Sequence, residues 1–537
     1  MRHEPEAPAL SEDEVHLLRP LEHAGPGYYA FVGVLLAVIA WGVIAYVVQL
    51  RYGLGVTGMR DYVSWGVYIA NFVFFIGVSH VGALMSAILR ITGAEWRRPI
   101  TRMAEAITFA SLLMGAIMPV VDMGRPERLW EIFAFGRVQS PVLWDILSIS
   151  TYLTGSTIFL YLPMIPDIAL LRDRLTGVSR WRRWLYRVMA LGWRGTPEQW
   201  ARLERCMGIM AVLIIPIAIS VHTVVSWIFG MTLRQGWNST IFGPYFVSGA
   251  LYSGAAAVVT AMAAFRWIYR LHRYVTLDHF KKMSYLVLTL GFVYGYFTVA
   301  EYLTVGYKMP EAERSLLESL FAGHLGGLFW FAQVAGILVP LFLIILPTIP
   351  GLPWPRRLPV LRPQPIAALA GLTAVLMVIA QRLPPWLPQA ALTAADIAGV
   401  LRVALWILLG ALALSMIPVL HARPLLSIVV ASVLVNAGAW IKRYVIVVPT
   451  LLHPYLPIQG VPWEWAQYRP TWVEWSITAA AFAGFMLVYT VFSRLFPIVS
   501  IWETREGAAA AQEKTGPAPH PAPGAGGQFS SAPQAGG

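Results

Sequence analysis

The sequence predicts an all-α integral membrane protein with about 12 transmembrane helices, and three observations carry that prediction. Hydrophobic residues make up 57% of the chain and charged residues 13%. The apolar residues gather in blocks of about 20 or more, the length that spans roughly 30 Å of hydrocarbon. Basic residues fall mainly between those blocks, with alternate connections rich in arginine. A β-barrel would show alternating segments of about ten residues and a soluble fold would show amphipathic stretches; neither pattern dominates.

Residues 1–27 are polar and of mixed charge, without a basic start or a small-residue cleavage site, and read as a cytoplasmic segment rather than a cleaved signal. The candidate spans follow at 28–50, 64–90, 103–121, 142–171, 207–229, 245–269, 284–307, 325–347, 366–383, 396–419, 424–448 and 473–497. Span nine is short and ends at Arg382 ahead of Pro384 and Pro385. The connection 172–206 carries Arg172, Arg174, Arg180, Arg182, Arg183 and Arg187. On its side fall Arg97 and Arg98, Arg270 and Arg273, and Arg356, Arg357 and Arg362; the opposite loops are poorer, with Arg234 alone between spans five and six, and Lys308 and Arg314 between seven and eight. Positive-inside topology then puts both termini in the cytoplasm and the loop 122–141 outside. The same rule accounts for the formal charge of +12 without a nucleic-acid partner. The Pro-rich stretch GLPWPRRLPVLRPQPI (350–365) marks a cytoplasmic break. The Ala/Pro/Gly-rich tail, 506–537, has too little hydrophobicity to offset the entropy of ordering.

Cys206 is the only cysteine. A disulfide within the chain, an iron–sulfur cluster and a thiolate zinc site are therefore beyond its means, so any iron–sulfur centre belongs to a partner.

Ionisable groups at membrane depth are costly and thus candidates for function. His80 lies in the inner half of span two, and Arg102 and Glu105 share a face of span three near the same level. The three could carry protons or lock two helices together. His222 in span five and Glu301 in span seven lie toward the outer side and extend the candidate proton path. His80 is about 15 residues from the outer surface and His222 about 7, which predicts about 12 Å of depth between them. That separation argues against one haem using both as axial ligands. Lys442 and Arg443 in span eleven read as partners of a carboxylate or a lipid head group, and Trp144, Trp227 and Trp237 as interfacial anchors.

The densest polar constellation is the outer rim, MPVVDMGRPERLWEIFAFGRVQSPVLWDILS (118–148). Asp122 and Asp145 stand at the facing ends of two spans. Oxidising a membrane-soluble hydroquinone needs an acceptor for phenolic protons, an apolar slot and a nearby electron acceptor; the two aspartates are candidate bases, coupled as neighbouring like charges. Arg125 and Trp144 complete the candidate rim. The structural alternative is that Asp122 caps the turn and pairs with Arg125.

At these residues the chain resembles the NrfD (PsrC-like) family of membrane subunits, most closely the ActC-type branch found in alternative complex III. The carrying stretches are WGVYIANFVFFIGVSHVGALMSAILR (65–90), RMAEAIT (102–108), DMGRP (122–126), SPVLWD (140–145), VHTVVSWIFG (221–230), GWNSTIFGPYFVSGA (236–250), LVNAGAWIKRYVIVV (434–448) and YRPTWVEW (468–475). The resemblance implies a haem-free subunit of two four-helix bundles in a bacterial cytoplasmic membrane, inactive alone. It would exchange electrons and protons with menaquinone or ubiquinone, oxidising the quinol near the outer surface and passing electrons to a docked iron–sulfur subunit. It implies further membrane subunits and a multihaem cytochrome c or a molybdoenzyme-like subunit as partners, with proton translocation as an added role. Asp145 takes the position of the family's quinol-site aspartate. Asp122 stands where the branch usually carries histidine, and the connection 127–139 is shorter than in that branch. The resemblance also divides the chain: membrane domain 28–348, holding the first bundle and most of the second; an inserted helical pair, 349–420; and final helices, 421–505. Two other readings of the residues are a secondary transporter, which would place its charged site at the midplane, and a structural anchor without a quinone site.

Overall fold

The computed structural model describes residues 12–507 except 23, 176, 233, 350–362, 382–387, 454–461 and 463–466. The expectations for the Pro-rich stretch, the prolines after span nine and the tail lie wholly or mostly outside the described residues, as do residues 1–11 of the start of the chain. Among the described residues twelve long helices stand out: α1 Pro26–Tyr52, α2 Val67–Ile91, α3 Thr101–Asp122, α4 Pro141–Tyr161, α5 Pro197–Gly230, α6 Phe242–Ile268, α7 Leu277–Lys308, α8 Gly326–Thr348, α9 Pro363–Gln381, α10 Pro388–Ala422, α11 Pro424–Leu452 and α12 Trp472–Leu495. Ten of them are long and apolar enough to cross a membrane, and shorter apolar stretches lie in α9 (Pro363–Met377) and α10 (Ile407–Ala422).

Local chemistry explains where the helices start and stop. α5 begins ten residues before the apolar run because Thr196 and Gln199 form a capping box; charged residues such as Arg202 and Arg205 then continue the helix instead of forming a loop. α4 ends at Tyr161, where a short 3-10 turn carrying Pro163 (Leu162–Met164) breaks the helix before it restarts as Ile165–Arg174. α3 ends at Asp122, and Gly124, with φ of +71°, makes the turn into Arg125 and Pro126. α12 opens on a capping box of Thr471 and Glu474.

α2, α3, α4 and α5 form one bundle, and α6, α7, α8 and α11 a second, joined where α2 packs on α6 and α11. α2 is the central element: every residue from Val67 to Ala87 is buried. It lies so close to α3 that a Cβ at Gly82 would collide with the Ala104 carbonyl oxygen. Small residues at such crossings supply the tight contact that helix association in lipid depends on. α1 pairs with α12, which also packs on α3, and α9 pairs with α10. α1 buries only Leu35, Gly42, Ala45 and Gln49, as suits an all-round apolar helix facing lipid.

One end of the molecule is tied together by arginines. Arg90 and Arg97 meet Glu503 at 2.8 and 3.2 Å, and Arg182 donates to the carbonyls of Leu21 and Arg494. The helix Glu12–Glu22, the connections 92–100 and 175–196 and the segment 494–507 therefore share that end.

Candidate functional site

At the opposite end, the loop between α3 and α4 folds over the end of α1 and leaves an open groove of about 1400 Å³. Arg51, Arg125, Arg128 and Arg137 line it with Glu127 and Glu131. Arg128 bonds Glu131 at 2.8 Å, and that bond holds the Glu131 carboxyl below the usual range. The indole of Trp144 donates to the Val138 carbonyl and fastens the loop to α4, so this residue holds the rim in shape.

Asp122 closes α3 beneath the groove, with Oδ1 buried and lacking a hydrogen-bond partner within the protein. It forms no ion pair with Arg125 among the described residues. Its charged neighbour is Glu474 rather than Asp145, and Tyr68 is also within electrostatic reach. The expected coupling of Asp122 to Asp145 is thus corrected. The second carboxylate comes from the start of α12, which packs on α3.

Glu474 is itself fully engaged. It accepts from the backbone N–H groups of Gly58 at 2.7 Å and Thr471 at 2.9 Å, and from the Tyr468 hydroxyl at 2.6 Å. Tyr468 in turn accepts from the Val67 N–H at 2.8 Å, and burial beside Glu474 raises its phenol well above the ordinary value, keeping it a donor. Alongside, Tyr68 donates to Gln49 at 2.7 Å and Gln49 to the Val121 carbonyl at 2.8 Å. Asp145, in the first turns of α4, likewise has a buried Oδ1 without a partner in the protein. The rim therefore offers two carboxylate oxygens free to accept a proton or a hydroxyl, one of them beside a network of fixed donors.

A second cluster lies at the seam between the bundles. The rings of His80 and His222 are in contact, with centroids 4.6 Å apart, so the expected depth of separation does not hold. His80 lies 13 residues from the start of α2 and His222 8 from the end of α5, so at the rim end α2 reaches about 7 Å beyond α5. Counting from the two helix ends assumed that they were level. His80 Nδ1 bonds the Ile76 carbonyl at 2.6 Å, its ring meets Tyr152, and His222 stacks on Phe246. The Arg443 guanidinium also lies over Phe246, 5.6 Å from the ring centroid, with Nε and Nη2 lacking partners in the protein. Lys442 is buried as well; it donates to the Tyr302 hydroxyl at 2.8 Å and lies over the rings of Tyr245, Tyr302 and Phe329. Aromatic faces, rather than a lipid head group or an ion pair, hold this cation. Glu301 accepts from Ser239 at 2.7 Å and lines a small cavity with Tyr245, Tyr302 and Glu313. Trp237, expected at the interface, is buried, bonds the Ile446 carbonyl at 2.9 Å and stacks on Trp65.

Arg102 does not join His80. It pairs with Asp167 at 2.6 Å and donates to the carbonyls of Pro497 and Pro163 and to Ser500. Asp167 also accepts from the N–H groups of Ile501 and Trp502. The constellation expected from His80, Arg102 and Glu105 is therefore divided. Arg102 locks α3 to the break after α4 and to the segment 497–502, while buried Glu105 has Arg90, Arg97, Arg102 and Glu503 as its charged surroundings. Among the described residues no group of three or more His, Cys, Asp and Glu is placed to hold a metal.

Residue reasoning missed Asp167, Glu474, Tyr68 and Gln49. Asp167 sits inside an apolar run and had the same membrane-depth signal as His80. Glu474 carries a capping-box signature three residues after Thr471.

Comparison with known proteins places this geometry. Residues 55–354, which carry both rim aspartates, match the family described as Polysulphide reductase, NrfD. A candidate membrane subunit of dimethyl sulfoxide reductase from Halobacterium salinarum is 28% identical over 250 residues, 46% of this chain and 54% of the relative. A selenate reductase subunit of Mesobacillus selenatarsenatis is 25% identical over 64% of this chain and 77% of the relative. The Hdr-like menaquinol oxidoreductase integral membrane subunit of Archaeoglobus fulgidus is 23% identical over 60% and 71%. The chain thus spans about half the length of the Halobacterium relative and about three quarters of the Mesobacillus one.

Proposed function

The chain belongs to the NrfD polysulphide reductase family, and from that premise we propose that it is the quinone-exchanging membrane subunit of a multisubunit oxidoreductase, working in the direction of quinol oxidation. The observation that carries the reading is the pair of buried, partnerless carboxylate oxygens on Asp122 and Asp145 at the rim. A hydroquinone presents two phenolic O–H donors. The carboxylates offer the acceptors that such donors need, in a site where unsatisfied acceptors are otherwise costly.

Oxidation releases two protons and two electrons. The aspartates take the protons and return them to the water beside the rim, and the electrons leave to an iron–sulfur cluster on a partner docked over the arginine-lined groove. The ring would lie in the apolar surroundings between α3 and α4, with Trp144 keeping the loop in place and Arg125 at the mouth. Menaquinol and ubiquinol both fit this chemistry. The name of the Archaeoglobus relative, a menaquinol oxidoreductase integral membrane subunit, supports a quinone-linked complex. A role for the His80–His222 contact, Glu105 and Glu301 in proton translocation, and assembly in a bacterial cytoplasmic membrane with both termini inside and a multihaem cytochrome c among the subunits, as in alternative complex III, extend the same proposal. The inserted pair α9–α10, which packs chiefly on itself, is free to meet a neighbouring membrane subunit.

The test is Asp145→Asn and, separately, Asp122→Asn in the assembled complex, with electron delivery from a quinol analogue to an artificial acceptor as the readout. We expect each to lower the rate about 10²-fold or more, the usual worth of a positioned base, with the subunits still co-purifying. Wild-type rates in both assembled variants would leave the chain a structural anchor.

A further inference from the structure

Trp267, in the last turn of α6, is 79% exposed. It stands over a cavity of about 450 Å³ whose other walls are His16, Arg270, His272 and Arg273. The turn that carries three of these is built to present them. Buried Leu271 and Val275 fix it from beneath, Arg266 donates to the Val275 carbonyl, and Arg270 adopts a φ of +55°, a backbone that L side chains rarely take. The fourth wall comes from the helix Glu12–Glu22, seated by buried Leu17, Leu18 and Leu21.

Much of the charge at the arginine-rich end is answered within the protein, and the charge lining this cavity is not. Elsewhere at that end Arg90 and Arg97 meet Glu503, Arg98 meets Glu95 and Glu506, Arg172 meets Asp173 and Lys282 meets Asp278. Among the described residues, the side chains of Arg270, Arg273, His16 and His272 have neither a carboxylate nor a hydrogen-bond partner. We propose that the cavity binds the phosphodiester head group of an anionic phospholipid. Guanidinium groups match phosphate oxygens in charge and geometry, and basic recesses at the ends of membrane helices suit such head groups. An exposed indole at a helix end sits at head-group level, and the neighbouring Ile268, 57% exposed, continues an apolar surface for the acyl chains. This site lies at the opposite end from the rim and is independent of the quinone reading.

The test uses the full chain purified in mild detergent with its co-purifying subunits. Native mass spectrometry follows titration with phosphatidylglycerol and with phosphatidylcholine of the same acyl chains. Phosphatidylglycerol should stay bound at activation energies that strip phosphatidylcholine. Arg270→Gln combined with Arg273→Gln should weaken its retention roughly 30-fold, the loss expected for two interfacial basic groups, while Arg270→Lys with Arg273→Lys retains most of it. Melting in phosphatidylcholine nanodiscs should be unchanged for both variants. Equal retention of the two lipids, or undiminished retention by the glutamine variant, would overturn the proposal. Displacement of phosphatidylglycerol by millimolar inorganic phosphate would overturn it too, marking a soluble-anion site.

Discussion

Arg102 and Asp167, near the arginine-rich end of the first bundle, are both buried, and besides each other five groups answer the pair, drawn from the break after α4 and the segment 497–502. At the rim and the seam, equally enclosed polar atoms go unanswered within the protein: Oδ1 of Asp122 and Asp145, both ring nitrogens of His222, and Nε and Nη2 of Arg443. Burial alone does not separate structural charge from chemical charge here. Partnering does: a satisfied charge fixes helices, whereas an unsatisfied one implies water, a ligand or a proton to be exchanged.

The largest effect should come from breaking the satisfied pair. Asp167→Asn or Arg102→Met leaves an uncompensated buried charge, a change that typically costs about 3–5 kcal/mol. Each should sharply lower the yield of folded protein by size exclusion and the melting temperature. The double variant Arg102→Met with Asp167→Leu should recover part of the loss, because no lone charge remains. Wild-type melting in either single variant would erase the contrast.

Glu474→Gln should come next. Its carboxylate accepts from Gly58, Thr471 and Tyr468, and charge-assisted bonds of this kind contribute about 1.5–3 kcal/mol each when one is lost. The glutamine keeps one acceptor oxygen, so we expect a loss of about that size in total. The variant also removes the carboxylate beside Asp122, so a quinol-oxidation pH profile that shifts along with the melting temperature would tie the network to the rim. A profile that stayed in place would make Glu474 a cap alone.

The fold was legible because apolar run length is a strong local signal: the twelve expected spans correspond to α1–α12, with errors at ends decided by caps such as Thr196. The rim was legible in part, since Asp122 and Asp145 advertise themselves as carboxylates at the ends of apolar runs. What escaped was pairing. Glu474 meets Gly58 across 416 residues of chain, and Arg102 chose Asp167 over the sequence neighbour Glu105; neither follows from periodicity. The level of His80 against His222 depended on how far two helix ends protrude, which counting residues cannot supply.

His222→Gln tests the unanswered side of the comparison at the seam. Since neither ring nitrogen has a hydrogen-bond partner in the protein, the change removes no hydrogen bond, only ring packing on His80 and Phe246, and stability should fall by less than it does for Asp167→Asn. Proton uptake coupled to quinol turnover in proteoliposomes should fall while electron delivery continues. Loss of stability comparable to Asp167→Asn would mean that His222 is a structural residue whose partners are waters.

The smallest effect belongs to Arg128→Gln. This residue does have a partner, Glu131, three residues away on the exposed loop, so partnering by itself would rank it beside Arg102. Exposure argues the opposite: water solvates both side chains in either state, and an ion pair between exposed groups is screened by salt. Melting should therefore not change measurably, and neither should quinol binding if the groove is only the partner's seat. Co-purification of the proposed iron–sulfur partner at raised ionic strength is where the variant should differ, dissociating at lower salt than wild type because a guanidinium at the groove is gone. A clear drop in melting temperature would show that partnering outweighs exposure even at the surface.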